Sequence, residues 1–413
     1  MNLFNIFYIS RAAVFGVLTL LAGLQGATAS ETDQQRVVAA NNAFAFDLLG
    51  QITQTQSNAN VFISPFSIST ALQVVENGAA GQTEKEMQQV LHTADLPSTI
   101  VNQSFKELNQ DLASRKDVTL KLANGIWYKQ GFHLKSGFVA DNNNFFQAEL
   151  VNVDFSNPQS AQTINYWADK QTQGKIKNIV QYPFDPYTRV ILANAIYFKG
   201  KWSNPFSKIQ TKPRDFHPTS GQVKPTPMMV KEGQFFYSKT PDFEAVRLPY
   251  DGRFEMQIFL PTKQSSLQKL IECFKIHGNW RFNMQQSFSS YEGTLILPKF
   301  KIVYDIGLND PLQALGMKHV FGNDADFSAM ADEPLFISEV KQKSYVDVDE
   351  EGTEAAAVTK IEMHALSMEP GPPKPRFKMI VDRPFLFVIW ETYYAGSILF
   401  IGVVNDPTTG SAQ

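Results

Sequence analysis

A single cysteine, Cys273, stands in a chain of 413 residues. No intrachain disulfide is available, so packing must hold the fold. In its apolar helical context that thiol reads as a packed side chain rather than a nucleophile. Like charges never run for more than a few residues, and 37 Lys and Arg against 40 Asp and Glu leave a net charge of −3. That balance argues against a nucleic-acid partner and against a membrane met through a polybasic patch. It also gives no support for a heparin-type cofactor. The six histidines are scattered, so no metal site or catalytic triad can be proposed. GxSxG, HExxH and phosphate-cradling glycine loops are all missing, which leaves a hydrolase without a supporting constellation. Asp347, Asp349, Glu351 and Gly352 open like a calcium loop, but Val358 stands where a bidentate glutamate is required. There is no internal repeat. Past the N-terminus, no apolar window reaches transmembrane length.

What is present points to a folded, exported protein. The composition is 43% hydrophobic, ample for a full core. Arg11 is the only charge among the first 30 residues; Ala12–Leu24 is apolar, and Ala27-Thr28-Ala29 offers a small-x-small cleavage pattern. Residues 1–29 therefore read as a cleaved signal, with a single membrane anchor as the alternative. The apolar run rises about 1.5 Å per residue and falls short of a bilayer core of roughly 30 Å. The expected location is secreted, whether extracellular or periplasmic.

Along the mature chain, Phe44, Leu48 and Ile52 recur at helical spacing. Asn60 and Pro65 bracket a short strand-like piece ahead of a helical stretch around Ala71–Val75. Thr83 and Glu86 are spaced as a capping box opening the helix of Met87, Val90 and Leu91. Strand-like runs cover Val190–Phe198, Ala245–Pro249, Met256–Leu260, Thr294–Phe300 and Tyr345–Val348. Helices gather early and strands late without βαβ alternation, which makes the class α+β.

Between Gly352 and a proline-rich stretch at 367–375 the chain makes an excursion. Three short strands follow it, near 376–381, 385–391 and 396–404. They are too few to build their own core, so they must pair with the body of the protein. Inside the excursion, TEAAAVTKIEMHAL at 353–366 alternates with period two: Thr353, Ala355, Ala357, Thr359, Ile361 and Met363 share one face. Taken alone, this is an edge strand or a short alanine-favoured helix.

Its surroundings add to that reading. YVDVDEEGTEAAAVT at 345–359 resembles the hinge of the serpins, a family of suicide protease inhibitors. NVFISPFSISTAL at 60–72, NAIYFKGKW at 194–202 and MIVDRPFLFVI at 379–389 are similar to further signatures of that family, as are TINYWADKQTQGKI at 163–176 and LPKFKIVYDIGLNDPLQALGM at 297–317. The resemblance covers essentially all of 35–405. It implies one domain over 30–413, built of three β-sheets and eight or nine helices, with a reactive loop at about 350–375.

The resemblance also carries residue roles. The hinge falls on Glu350, Gly352, Thr353, Glu354, Ala355, Ala356 and Ala357, small where a strand must enter a packed sheet. The family's count places the reactive bond fourteen residues beyond Gly352, at Leu366–Ser367. Leucine there suits chymotrypsin-like or elastase-like enzymes and not trypsin-like ones; Met363 and Met368 are nearby apolar alternatives. Ser64, Ser67 and Asn194 match a hydrogen-bond cluster beneath the opening sheet, with Gln342 replacing the usual histidine. Their alternative reading is as ordinary buried polar groups. Lys299 and Glu350 match a gate pair at the top of the sheet. Trp202 matches a buried tryptophan beside it, where plain core packing is the alternative role. The implied partner is a serine protease, held as a covalent acyl complex, with cysteine proteases left open. No catalytic residue, metal or cofactor is implied, and the protein is expected to act as a monomer. The competing function is a non-inhibitory binding or carrier protein, or a plain protease substrate.

Overall fold

The computed structural model describes residues 33–276, 287–353, 376–392 and 396–409. Residues 1–29, expected to be a cleaved signal, lie outside these residues, as do Glu354, Ala355, Ala356, Ala357, Leu366 and Ser367. Eight α-helices occur among the described residues: α1 (Asp33–Thr55), α2 (Pro65–Glu76), α3 (Gly81–Val90), α4 (Ser98–Ser114), α5 (Ser136–Asp141), α6 (Pro158–Gln171), α7 (Leu267–Ile276) and α8 (Asn309–Leu315). None is long and apolar enough to cross a membrane.

The stripe Phe44, Leu48 and Ile52 is fully buried along α1. In α2 every residue is buried. Pro65 starts that helix without forfeiting a hydrogen bond, and the Ser64 hydroxyl caps it by accepting from Ser67 N at 3.4 Å. The expected capping box at Thr83 and Glu86 does not form. α3 begins two residues earlier, at Gly81, and both side chains serve tertiary contacts instead. Thr83 Oγ1 accepts from Asp326 N at 2.9 Å, and Glu86 Oε2 accepts from Lys318 N and His319 N at 2.7 and 2.9 Å. Long-range donors have displaced the local cap.

The strands are β1 (Val61–Ile63), β2 (Val118–Lys129), β3 (Glu149–Val153), β4 (Val190–Lys201), β5 (Lys212–Phe216), β6 (Lys224–Lys239), β7 (Phe243–Pro249), β8 (Phe254–Pro261), β9 (Ser289–Pro298), β10 (Phe300–Gly307), β11 (Ile337–Val348), β12 (Gly352–Thr353), β13 (Arg376–Ile380), β14 (Phe385–Glu391) and β15 (Ile398–Val404). They form two hydrogen-bonded networks. The larger runs β1-β15-β14-β8-β7-β6-β9-β13, with β5 also paired to β6. Only Tyr237–Lys239 of β6 joins β7, so the β5, β6, β9 and β13 end is the third sheet expected from the sequence, fused through that short seam. The strands after the excursion do pair with the body: β14 lies between β8 and β15, and β13 runs parallel to β9.

The second network runs β3-β2-β4-β11-β10 and carries the candidate site. Its middle strand β4 is buried on both faces, which explains its nearly unbroken apolar sequence. On one face, Trp127, Ile191 and Ala193 of the sheet pack against Ile164 and Trp167 of α6. The other face meets α2 and the main core.

Candidate functional site

The six-stranded sheet is closed along most of its height and parted at one end. β4 and β11 pair in parallel from Val190 with Ile337 up to Tyr197 with Tyr345. Beyond that point β12 lies between them, antiparallel to both. Thr353 pairs with Val348 on one side and with Gly200 on the other.

A tight turn delivers β12 to this position. Asp349 N donates to Gly352 O at 2.9 Å, and Asp349 Oδ1 accepts from Glu351 N at 2.8 Å and Gly352 N at 3.2 Å. Burial raises the Asp349 carboxyl above its ordinary value, against the opposing pull of those donors and of Lys299. Gly352 has φ +153°, and a Cβ there would stand 2.1 Å from Gly200 O. Only glycine allows this strand to approach β4 so closely.

Thr353 is fully buried. Its Oγ1 is 2.7 Å from the Tyr250 hydroxyl, with either as donor. Complete burial pushes the Tyr250 phenol far above its ordinary value, so it stays protonated. Trp202 stacks on Tyr250 with ring centroids 4.4 Å apart, and its Nε1 donates to Asp349 O at 3.0 Å. The backbone N–H groups of Trp202 and Phe206 donate to Glu351 O and Glu350 O at 3.0 and 2.8 Å. Trp202 thus touches the hinge turn as well as the core.

Glu350 and Lys299 meet as the sequence suggested, with Nζ 2.9 Å from Oε2. Thr211 Oγ1 donates to Glu350 Oε1 at 2.7 Å. Burial raises the Glu350 carboxyl, but the bonds from Lys299 and Thr211 outweigh it and hold the group below its ordinary value. Lys208 pairs with Glu351 beside it. Behind Phe206, Lys231 sits over the rings of Phe206 and Phe235, and burial lowers its ammonium to about 8.

Lower in the sheet, Asn124, Asn194 and Gln342 are register partners in one row across β2, β4 and β11. Gln342 Nε2 donates to Asn194 Oδ1 at 2.6 Å, and Gln342 Oε1 accepts from Ser64 N at 3.0 Å. Asn194 Nδ2 donates to Ser67 Oγ at 2.5 Å and also to Asn124 Oδ1. Glutamine both donates and accepts, so the cluster closes without histidine. The structure therefore brings Ser64, Ser67, Asn194 and Gln342 together.

Sequence reasoning missed Asn124, Tyr250 and Thr211. Asn124 lies in an alternating run, Lys121–Trp127, whose register against β4 would have paired it with Asn194. For Tyr250 and Thr211, each far in sequence from its partner at the hinge, no local signal exists. Among the described residues no group of three His, Cys, Asp or Glu side chains could hold a metal ion.

These features define a class: proteins with a large sheet whose middle strands are wedged apart at one end by a segment of their own chain. The chain belongs to the serpin family, since the family model "Serpin (serine protease inhibitor)" matches residues 39–407. A leukocyte elastase inhibitor of Bos taurus is 35% identical over 386 residues, covering 90% of this chain and all of that protein. Among solved structures, Serpin48 of the insect Tenebrio molitor is 34% identical with a TM-score of 0.79, covering 90% of this chain and 98% of that one. Human thyroxine-binding globulin in complex with thyroxine is 27% identical with a TM-score of 0.82, covering 91% of this chain and all of that one.

Proposed function

We propose that this chain is a secreted suicide inhibitor of chymotrypsin-like or elastase-like serine proteases. The observation that carries this reading is the seat of β12 between β4 and β11. Extending β12 downward in the same register would place Ala355, Ala357 and Thr359 on the buried face that already holds Thr353. All are small and uncharged, as entry between two packed strands requires.

In this mechanism the protease serine attacks the Leu366 carbonyl. The Leu366–Ser367 amide breaks, its nitrogen leaves with a proton, and an ester links Leu366 to the enzyme. The freed loop then enters the sheet and carries the enzyme with it before water can cleave the ester. A fourteen-residue strand gains on the order of ten ladder hydrogen bonds at roughly 1 kcal/mol each. That rivals a whole protein's net stability of about 5–15 kcal/mol. A loop held outside is consequently metastable, and the protein is consumed rather than turning over. The Bos taurus elastase inhibitor supports this target class. Likeness to thyroxine-binding globulin keeps a carrier role as the second reading. The alanine-rich hinge favours inhibition.

The test is incubation with chymotrypsin, elastase and trypsin, followed by denaturing electrophoresis and sequencing of the released peptide. Chymotrypsin or elastase should give a detergent-stable complex and a peptide beginning at Ser367. Leu366→Arg should move the reactivity to trypsin. A peptide beginning at His364 or Glu369 would relocate the bond. Clean cleavage with no complex would leave the substrate or carrier reading.

A further inference from the structure

A groove of about 760 Å³ opens where β4 and β11 begin, at the end of the six-stranded sheet opposite the seat of β12. That volume lies within the roughly 300–1,000 Å³ of small-molecule sites. The segment 181–188 forms one side, and the starts of α8 and β11 contribute the other. Three rings line it: Phe184, packed edge-on against Phe155 with centroids 5.2 Å apart, together with Tyr187 and Phe336. Tyr187 is 78% exposed, more than any other aromatic side chain among the described residues. A turn holds it there: Tyr187 N donates to Asp185 Oδ1 at 2.7 Å, and Thr188 N donates to Asp185 O at 2.9 Å. The charge of the lining is lopsided, with Asp185, Asp310 and Glu339 against Lys341 alone. Lys341 is already engaged, 3.7 Å from Glu339 and 3.8 Å from Asp305. Asp185 and Asp310 have no cationic partner among the described residues.

We propose that this groove binds a flat organic cation, an aromatic amidine or guanidine. Its ring would stack on Tyr187 and its charge would face Asp185 and Asp310. An anion would meet the two unpaired carboxylates, and a neutral ring would leave them unanswered. A bare metal ion does not suit the groove either, because no three carboxylate, imidazole or thiol groups among the described residues converge to hold one. A cation whose charge is spread over a planar group fits carboxylates set apart and aromatic faces between them. Phe336 already shows the pairing within the fold, with the Arg189 guanidinium 5.4 Å from its ring centre. Neither the reactive loop nor the inhibitor mechanism enters this inference.

Titration calorimetry of the intact protein with benzamidine tests the site directly and needs no protease. One saturable site is expected at low salt, with benzamide, its neutral counterpart of the same shape, binding about tenfold more weakly, the factor that roughly 1.4 kcal/mol supplies. Added salt should weaken benzamidine and leave benzamide unchanged. Asp185→Asn combined with Asp310→Asn should bring benzamidine down to the affinity of benzamide. Asparagine at 185 keeps the Oδ1 acceptor for Tyr187 N, so the turn and the unfolding temperature should hold. Tyr187→Ala removes a ring that lies mostly in water, so it should leave the unfolding temperature intact while weakening both ligands several-fold. No saturable heat with benzamidine, equal affinity for benzamide, or unchanged benzamidine binding in either variant would each overturn the site. Failure to form a protease complex would count against the inhibitor reading and leave the binding result standing.

Discussion

At the scale of single residues, the hinge is decided by what has no room to change. Gly352 touches the β4 backbone, and Thr353 fills a closed space against Tyr250. Thr353→Arg would force a cation into that space with no partner, at a cost of roughly several kcal/mol. The expected outcome is cleavage at the same bond as wild type, with the complex replaced by two free fragments on a denaturing gel. A normal yield of complex from this variant would mean that Thr353 does not lead the insertion. The sequence shows why threonine and glycine stand here only after the family hinge is recognised. That Thr353 is already buried and bonded to Tyr250 was not legible, because Tyr250 is 103 positions away in the chain.

At the scale of elements, Glu350 bonds to Lys299 and Thr211 beside the parted end of the sheet. Glu350 is only 5% exposed, so Glu350→Lys leaves a buried cation facing Lys299, at a cost of about 1–3 kcal/mol or more. The variant should polymerise faster than wild type on mild heating; equal rates would remove the pair from the account. The same pair gives a pH dependence. Because the folded Glu350 carboxyl sits below its ordinary 4.5, its stabilisation is complete above that value and is lost as pH falls through the depressed one. Wild-type polymerisation should therefore accelerate below about pH 4.5. Glu350→Gln, which has no such charge to lose, should show a flatter profile measured by the same light scattering. Element types were largely readable: buried strands as apolar runs, α1 as a stripe. The capping box at Thr83 and Glu86 misled, since its spacing is local while the donors that claim both side chains come from 318–326. Asn124 was overlooked for the related reason that register, not sequence, makes it a neighbour of Asn194.

At the scale of the whole molecule, the fold class and the return of the last three strands to the body followed from the chain alone. No 38-residue tail without disulfides builds its own core, so β13, β14 and β15 had to find partners elsewhere. The fusion of two expected sheets through Tyr237–Lys239 depends on a short pairing that no periodicity announces. The proposed metastability belongs to this scale too. Cutting the loop of wild type with chymotrypsin should raise the unfolding temperature sharply, read by circular dichroism, because the inserted strand adds on the order of ten ladder bonds. A cleaved protein that melts no higher than the intact one would mean that its loop does not insert.

The seat of β12 changes how such an insertion begins. Starting a new strand inside a closed sheet is a nucleation problem: several backbone angles must be fixed before the first bond repays them, as in any cooperative ordering of a chain. Here the first pairs, Thr353 with Val348 and with Gly200, exist before any protease arrives. In the inhibitor mechanism proposed above, what remains after cleavage is propagation, one residue at a time from a formed end. The contest with ester hydrolysis is then set by how quickly Tyr197 and Tyr345 part below the seated threonine, and no longer by the wait for a first foothold.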